Sequence, residues 1–543
     1  MAGQTTLLVS ISLLALTTIA YIYNRTNFHK RGKQLPPGPL GLPIIGSALQ
    51  MPKRLPWLEF HRMSRQYGPI MYMNLAGRSA IILSTYQAAH DLLSVRSALY
   101  SDRPRVVMAG ELACKGMHTL LRPYDARYKL HQRMATPFLN PSAANRYRPL
   151  QELESRQLLS DLLNGSEKEG EYGIDPHHVL ERAMASFIYS LLYGYRLRTG
   201  NERELREAKR VLAEYEQTAK PGAYLVDAFP ALNCLPRPFA PWKDKADQLY
   251  EQQANLHLGN LAKALQQEGP NVAKLMHLSQ EAKNMTEVEV AFSVGVVSGS
   301  MLSRDLSADV LGKLADAAID TSAMTLNWLI VAALTTGAEW VQKAQSIIDK
   351  VVGRDRLPQW EDRPGLTYID AIINEGLRWR PIIAGGVPHF TKKPDVYGDY
   401  YIPANTIVLP NLYAIARDET TFGSEVGTFI PERWIDANDK LKDLPDVGFG
   451  FGRRICAGRY IARNGLFIKV ARLLWAFNIE PGVDRTTGEA IEVSDTDCVD
   501  GLVVLPKPFK AVFRPRCDSI KDVIDSYGNV GIDDHLQTLN NIF

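Results

Sequence analysis

Residues 449–459 read FGFGRRICAGR, and no other part of the 543-residue chain restricts its fold as tightly. Phe449, Gly452, Arg454, Cys456 and Gly458 follow the spacing F-x-x-G-x-R-x-C-x-G, and a helix-like apolar run opens at Tyr460. Glycines at this density permit a tight loop whose amide hydrogens can approach the sulfur. The remaining cysteines, Cys114, Cys234, Cys498 and Cys517, are scattered. Five in all fit neither a disulfide scaffold nor a CxxC metal knuckle, and a reducing compartment is the simplest reading. Taken alone, Cys456 would be a packed free thiol between glycine turns; the four accompanying positions argue against that.

Two further patterns are weak singly and gain weight from their order along the chain. EGLR at 375–378 puts Glu375 and Arg378 three residues apart on one face of an expected helix, where they can pair. FIPERW follows, with Pro431, Glu432, Arg433 and Trp434. AAIDTS at 317–322 sets the polar pair Asp320–Thr321 inside an otherwise apolar stretch. In isolation that pair would be a helix back-bond and an ordinary ion pair.

Together these residues resemble the cytochrome P450 family, from Leu35 to about Arg516, and in the section VVGRDRLPQWEDRPGLTYIDAIINEGLRWRP they resemble membrane-bound fungal P450s of the O-methylsterigmatocystin-oxidoreductase type. The resemblance implies a mainly α fold with small β-sheets, preceded by one transmembrane helix. It implies haem b, with Cys456 as the axial thiolate of the iron, Phe449 shielding that side, and Arg454 near a haem propionate. Glu375 and Arg378 would join Arg433 to hold the core near the loop. Thr321 would hydrogen-bond the oxygen ligand, and Asp320 would relay protons. Ala318 stands where the family usually has glycine.

PYDARYKLHQR at 123–133 is similar to the family's propionate-contacting W-x-x-x-R helix, with Tyr128 at the tryptophan position and Gln132 at the arginine position. Lys129 or Arg133 is the candidate substitute, and His389 a further propionate contact. The implied reaction is monooxygenation of a hydrophobic small molecule in fungal secondary metabolism, with electrons from NADPH through NADPH-cytochrome P450 reductase. Desaturation, ring closure or rearrangement is the alternative chemistry; a noncatalytic haem-binding membrane protein is the alternative of another class. Arg453, Arg459 and Lys469 are candidates for a basic reductase-docking face. The small, apolar IIAGGV at 382–387 suits a nonpolar substrate, and parts of 107–120 and 222–239 suit flexible access loops.

The rest of the chain frames this core. Thr5 to Tyr23 carries no charge over 19 residues, close to the ~20 needed to cross a lipid bilayer. Arg25, Lys30, Arg31 and Lys33 follow it and no Lys or Arg precedes it, which places the body in the cytosol, on the endoplasmic reticulum membrane. Residues 1–24 are therefore read as anchor, 25–46 as a basic, Pro/Gly-rich hinge, 47–517 as one catalytic domain and 518–543 as a polar tail. Helices are expected around 145–163, 178–192, 201–219, 241–283, 311–353 and 367–379, with strand pairs in 69–84, 396–410 and 503–513. The segment 297–312 is longer than the equivalent family connection. An apolar content of 45% excludes a disordered chain. A balance of 62 Lys+Arg against 59 Asp+Glu argues against a nucleic-acid partner.

Overall fold

A computed structural model of the chain describes residues 34–219, 222–299, 321–501, 503–528 and 531–543. The uncharged stretch 5–23, Asp320, Ala318 and most of 297–312 lie outside them. Among the described residues, no helix is long and apolar enough to cross a membrane.

Helices dominate. In chain order, those needed below are α1 (Pro56–Tyr67), α2 (Ala126–Leu139), α3 (Arg148–Glu169), α4 (Pro176–Tyr193), α5 (Arg203–Ala219), α6 (Pro241–Gln266), α7 (Glu287–Gly299), α8 (Thr321–Thr335), α9 (Glu339–Val351), α10 (Thr367–Trp379), α11 (Arg459–Ala476), α12 (Asp518–Tyr527) and α13 (Ile532–Ile542). The strands are β1 (Ile70–Leu75), β2 (Arg78–Leu83), β3 (His389–Thr391), β4 (Asp395–Tyr397), β5 (Tyr400–Ile402), β6 (Thr406–Pro410), β7 (Phe477–Pro481) and β8 (Ala511–Pro515). The chain divides into two compact units. The first comprises Met1–Pro104, Ile383–Gly423 and Gly450–Ile455; the second comprises Arg105–Ile382, Ser424–Phe449 and Cys456–Phe543.

The first unit is built on a four-stranded sheet in the order β1-β2-β6-β3. β1 and β2 pair antiparallel from Ile70↔Leu83 to Leu75↔Arg78. Their two-residue turn, Ala76 (φ 51°) and Gly77 (φ 89°), has the positive dihedrals that match strand twist. β2 runs parallel to β6, which pairs antiparallel with β3. Alternation along β1 sends Met71 and Met73 to one face, where they pack with Phe60 and Met63 of α1. Gly386 (φ +71°) lets the chain pass the β6 end, since a Cβ there would sit 1.9 Å from the Pro410 carbonyl oxygen.

In the second unit, α4 is buried along nearly its whole length and packs Ala185, Ile188 and Leu192 with Leu150 of α3, Leu261 of α6 and Ile461 of α11. α10 has the expected bounds. The stretch 311–353, expected to include a long helix, holds α8 and α9, separated at Thr336–Gly337, where Gly337 takes φ 92° and ends α8. The helix expected over 241–283 stops at Gln266, before Gly269–Pro270. The strand expected from 503 begins only at Ala511, because Pro506 and Pro508 offer no amide to a ladder; β8 pairs with β7. Residues 518–543 are not a peripheral tail. They form α12 and α13, whose charged residues face outward while Ile520, Ile524, Leu539 and Ile542 are buried.

Candidate active site

Cys456 sits just ahead of α11, whose N-cap is Gly458. Its amide donates to the Phe449 carbonyl at 2.9 Å, closing the loop, and Arg459 donates to the Cys456 carbonyl at 3.0 Å. Burial pushes the Cys456 thiol up; amides of Gly458 and Arg459 that donate to the sulfur, and the Arg459 charge, act the other way. The start of a helix adds to that opposing effect. Cys456 is half-buried. Arg463 steadies the loop: it pairs with Asp446 (2.6 Å), bonds Asn374 (2.8 Å) and lies 5.7 Å from the Phe449 ring centre. In the first unit, Gly452 (φ +57°) runs against Leu93, where a Cβ would come within 1.9 Å of the carbonyl oxygen. Arg454 donates through Nε to the Ser101 carbonyl at 2.8 Å.

Glu375 and Arg378 are 0% and 1% exposed and form a two-pronged pair, with Nε to Oε2 at 2.8 Å and a terminal nitrogen to Oε1 at 2.7 Å. The same carboxylate accepts from the Ile430 amide and from Trp434 Nε1, each at 2.9 Å, and Arg433 Nε lies 3.6 Å from it. Arg378 also donates to the carbonyls of Val426 and Thr428, and Arg433 to those of Ser424 and Glu425. One carboxylate thus fastens α10 to the PERW turn. Trp434 was not assigned a role from the sequence.

The family model for cytochrome P450 matches residues 36–513 of this chain, nearly its whole length. The chain belongs to the cytochrome P450 family. It is 36% identical over 518 residues to cytochrome P450 monooxygenase aneD of Aspergillus aculeatus, covering 95% of this chain and 94% of that one. It is 37% identical over 485 residues to cytochrome P450 monooxygenase drtD of Aspergillus calidoustus (89% and 86%), and 33% identical over 529 residues to cytochrome P450 monooxygenase peniB of Penicillium patulum (96% and 93%). The protein is therefore a P450 monooxygenase, and the family implies a haem-thiolate cofactor.

The donor set of this P450 fits that group. Amides directed at the sulfur would stabilise a thiolate, the form that binds iron. The first unit holds two arginines of note. Arg103, 6% exposed and not singled out in the sequence, donates to the carbonyls of Pro388 (2.6 Å) and Val387 (3.4 Å). These carbonyl contacts, like that of Arg454, orient a guanidinium. Buried between strand and loop, His389 is held down to about 3, first by burial, then by the Arg103 charge, with Arg454 adding to it. Its Nδ1 lies 2.8 Å from the Tyr100 carbonyl, which can only accept, so Nδ1 carries the proton and Nε2 is an acceptor. A neutral His389 with its proton on Nδ1 has none to donate from Nε2.

On α2 the buried positions are Tyr128, His131 and Met134, three residues apart. That periodicity turns Lys129, Gln132 and Arg133 to the exposed face, so neither proposed substitute for the missing arginine points inward. Lys129 lies 5.3 Å from the Tyr124 ring centre instead. The buried basic residue of this helix is His131, whose Nδ1 is 2.7 Å from Ser293 Oγ on α7 and which burial holds down to about 4.

Thr321 opens α8, and its carbonyl accepts from Thr325 Oγ1 at 3.1 Å. Met324, one turn on, packs with Ile382, Val503 and Leu505 into an apolar cluster. Residues expected as two separate access loops are bonded to each other: Asp227 accepts from the amides of Val107 (2.7 Å) and Met108 (2.9 Å). Tyr215 of α5 and Gln253 of α6 donate to the carbonyls of Ala109 and Ala113. The proposed docking face loses Lys469, which is 1% exposed; Arg453 is exposed and Arg459 half-buried.

Proposed function

We propose that this P450 oxidises an apolar small molecule in a fungal secondary-metabolite pathway, using haem b, O2 and electrons passed from NADPH by a reductase, while anchored by residues 5–23 to the endoplasmic reticulum membrane. The observation that carries the reading is Cys456 at the head of α11 with two backbone amides directed at its sulfur. Haem held by that thiolate supplies reductive activation of O2, so that one oxygen atom enters the substrate and the other leaves as water.

The chain's own residues do the rest. Gly458 and Arg459 amides keep negative charge on the sulfur, and Phe449 excludes water from it. Arg103 and Arg454 bind the anionic edge of the cofactor, with His389 between Tyr100 and these cations as a fixed neutral wall. Tyr128 contributes a buried phenol from α2. Thr321 and Asp320 move protons at the distal face. Glu375, Arg378 and Arg433 hold the backbone on which Phe449 is carried. Met324, Ile382, Val503 and Leu505 offer an apolar wall, which favours a substrate without charge.

The test is to delete the encoding gene, identify the metabolite that accumulates, and feed it to the purified enzyme with a reductase, NADPH and labelled oxygen. Incorporation of one labelled atom is the expected result. An unlabelled, desaturated or ring-closed product would replace hydroxylation by the alternative chemistry.

A further inference from the structure

Asn327, on α8, is 1% exposed. Its side-chain nitrogen donates to the Ala323 carbonyl at 2.9 Å and lies 3.2 Å from Nδ1 of His177 on α4. A carbonyl accepts only, so the amide must turn its nitrogen toward Ala323, which fixes its orientation. The second N–H then goes to His177 Nδ1, which accepts it and leaves the ring proton on Nε2. Both amide hydrogens are used. The Asn327 side-chain oxygen, with two lone pairs, is buried and has no hydrogen-bond partner among the described residues, an arrangement that buried polar atoms rarely tolerate.

Beside it lies a cavity of about 20 Å3, counted as the space open to the centre of a water molecule, lined by Asp175, His177, Asn327, Leu505, Pro506 and Phe509 among others. Roughly 10–15 Å3 on that measure is enough for one water, which needs two to four polar partners. The wall offers acceptors: the Asn327 oxygen and the Asp175 carboxylate, which already accepts from the His177 amide at 3.0 Å. The ligand called for is therefore small, with two protons to give to these acceptors; the one cation of the lining, Lys507, pairs with Asp497 at 3.0 Å.

We propose that a single buried water is a resident ligand of this cavity, donating to the Asn327 oxygen and joining α4, α8 and the 505–509 segment. Thr321 is six residues away, ~9 Å along a helix axis at 1.5 Å per residue. The water therefore positions α8 and does not take part in oxygen chemistry, and the inference stands apart from the haem reading.

The test is a diffraction map of the full-length protein at a resolution that shows ordered water, with a second crystal pressurised with xenon. One peak within hydrogen-bond distance of the Asn327 oxygen, no xenon in the cavity, and loss of the peak in Asn327→Leu are the expected results. Xenon in the wild-type cavity, no peak at all, or a peak with the coordination distances of a metal cation would each overturn the proposal. The wild-type maps decide the matter even if Asn327→Leu does not fold.

Discussion

Two groups of arginines in this P450 are oriented in different ways. At the first, Arg378 and Arg433 converge on the one Glu375 carboxylate, which also takes the Ile430 amide and the Trp434 indole. At the second, Arg103 and Arg454 are oriented by carbonyls of Pro388, Val387 and Ser101, and their charge is strong enough to help hold His389 neutral. Arginines that share a protein carboxylate fasten the fold. Under the proposed function, the arginines oriented by carbonyls meet an anionic ligand.

The largest expected effect is at the Glu375 site. Glu375→Gln leaves two buried guanidiniums without their counter-charge, and a loss of about 3–5 kcal/mol is expected, read as a fall in the urea midpoint and in soluble yield. A change near zero would break the comparison, because the carboxylate would then not be what holds the site.

Lys469 sharpens it as a buried cation that the protein compensates poorly. Its ammonium is pulled from 10.5 to about 7, first by burial; Glu154 opposes the shift, and Arg472 and Arg182 reinforce it. Since its folded pKa lies below its unfolded one, the unfolded chain binds the extra proton between pH 7 and 10.5. Stability should therefore rise as pH climbs through that window and be lost on the way down. Lys469→Met should flatten that slope and stabilise the protein at pH 7 by about 1–4 kcal/mol. An unchanged pH slope in urea titrations would contradict this.

The smallest effect on the fold is expected at the second arginine group. Arg103→Gln should change the stability of the haem-free protein by no more than about 1 kcal/mol. It should speed transfer of haem to apomyoglobin roughly tenfold, equivalent to about 1.4 kcal/mol. A large loss of apoprotein stability with unchanged haem transfer would make Arg103 a second structural arginine.

The difference between these regions also marks what the sequence could reveal. The residues of the Cys456 loop lie within a few positions of one another, as do Glu375 and Arg378, so local spacing together with the order of the motifs made both legible. The helix over 367–379 was legible for the same reason. Arg103 was not, because its partners Val387 and Pro388 lie 284 and 285 residues away, and a lone arginine before a proline has no pattern. Asp227 joins two segments more than 100 residues apart and was equally hidden. The exposure of Lys129 and Arg133 follows from the helical period around Tyr128 and His131, a signal that was present and outweighed by charge alone. Residues 518–543 misled because their charges are numerous, while the apolar stripe that docks them is short and includes Ile520 and Ile524 on one helix, Leu539 and Ile542 on the other.

The central claim is that Cys456 presents a thiolate to haem iron, and the ferrous carbon monoxide difference spectrum of the purified protein tests it most directly. Wild-type protein should give the strongly red-shifted Soret band that a thiolate ligand produces, and Cys456→Ser, loaded with haem to the same level, should not. A wild-type spectrum without that band, or the same band in Cys456→Ser, would contradict the account.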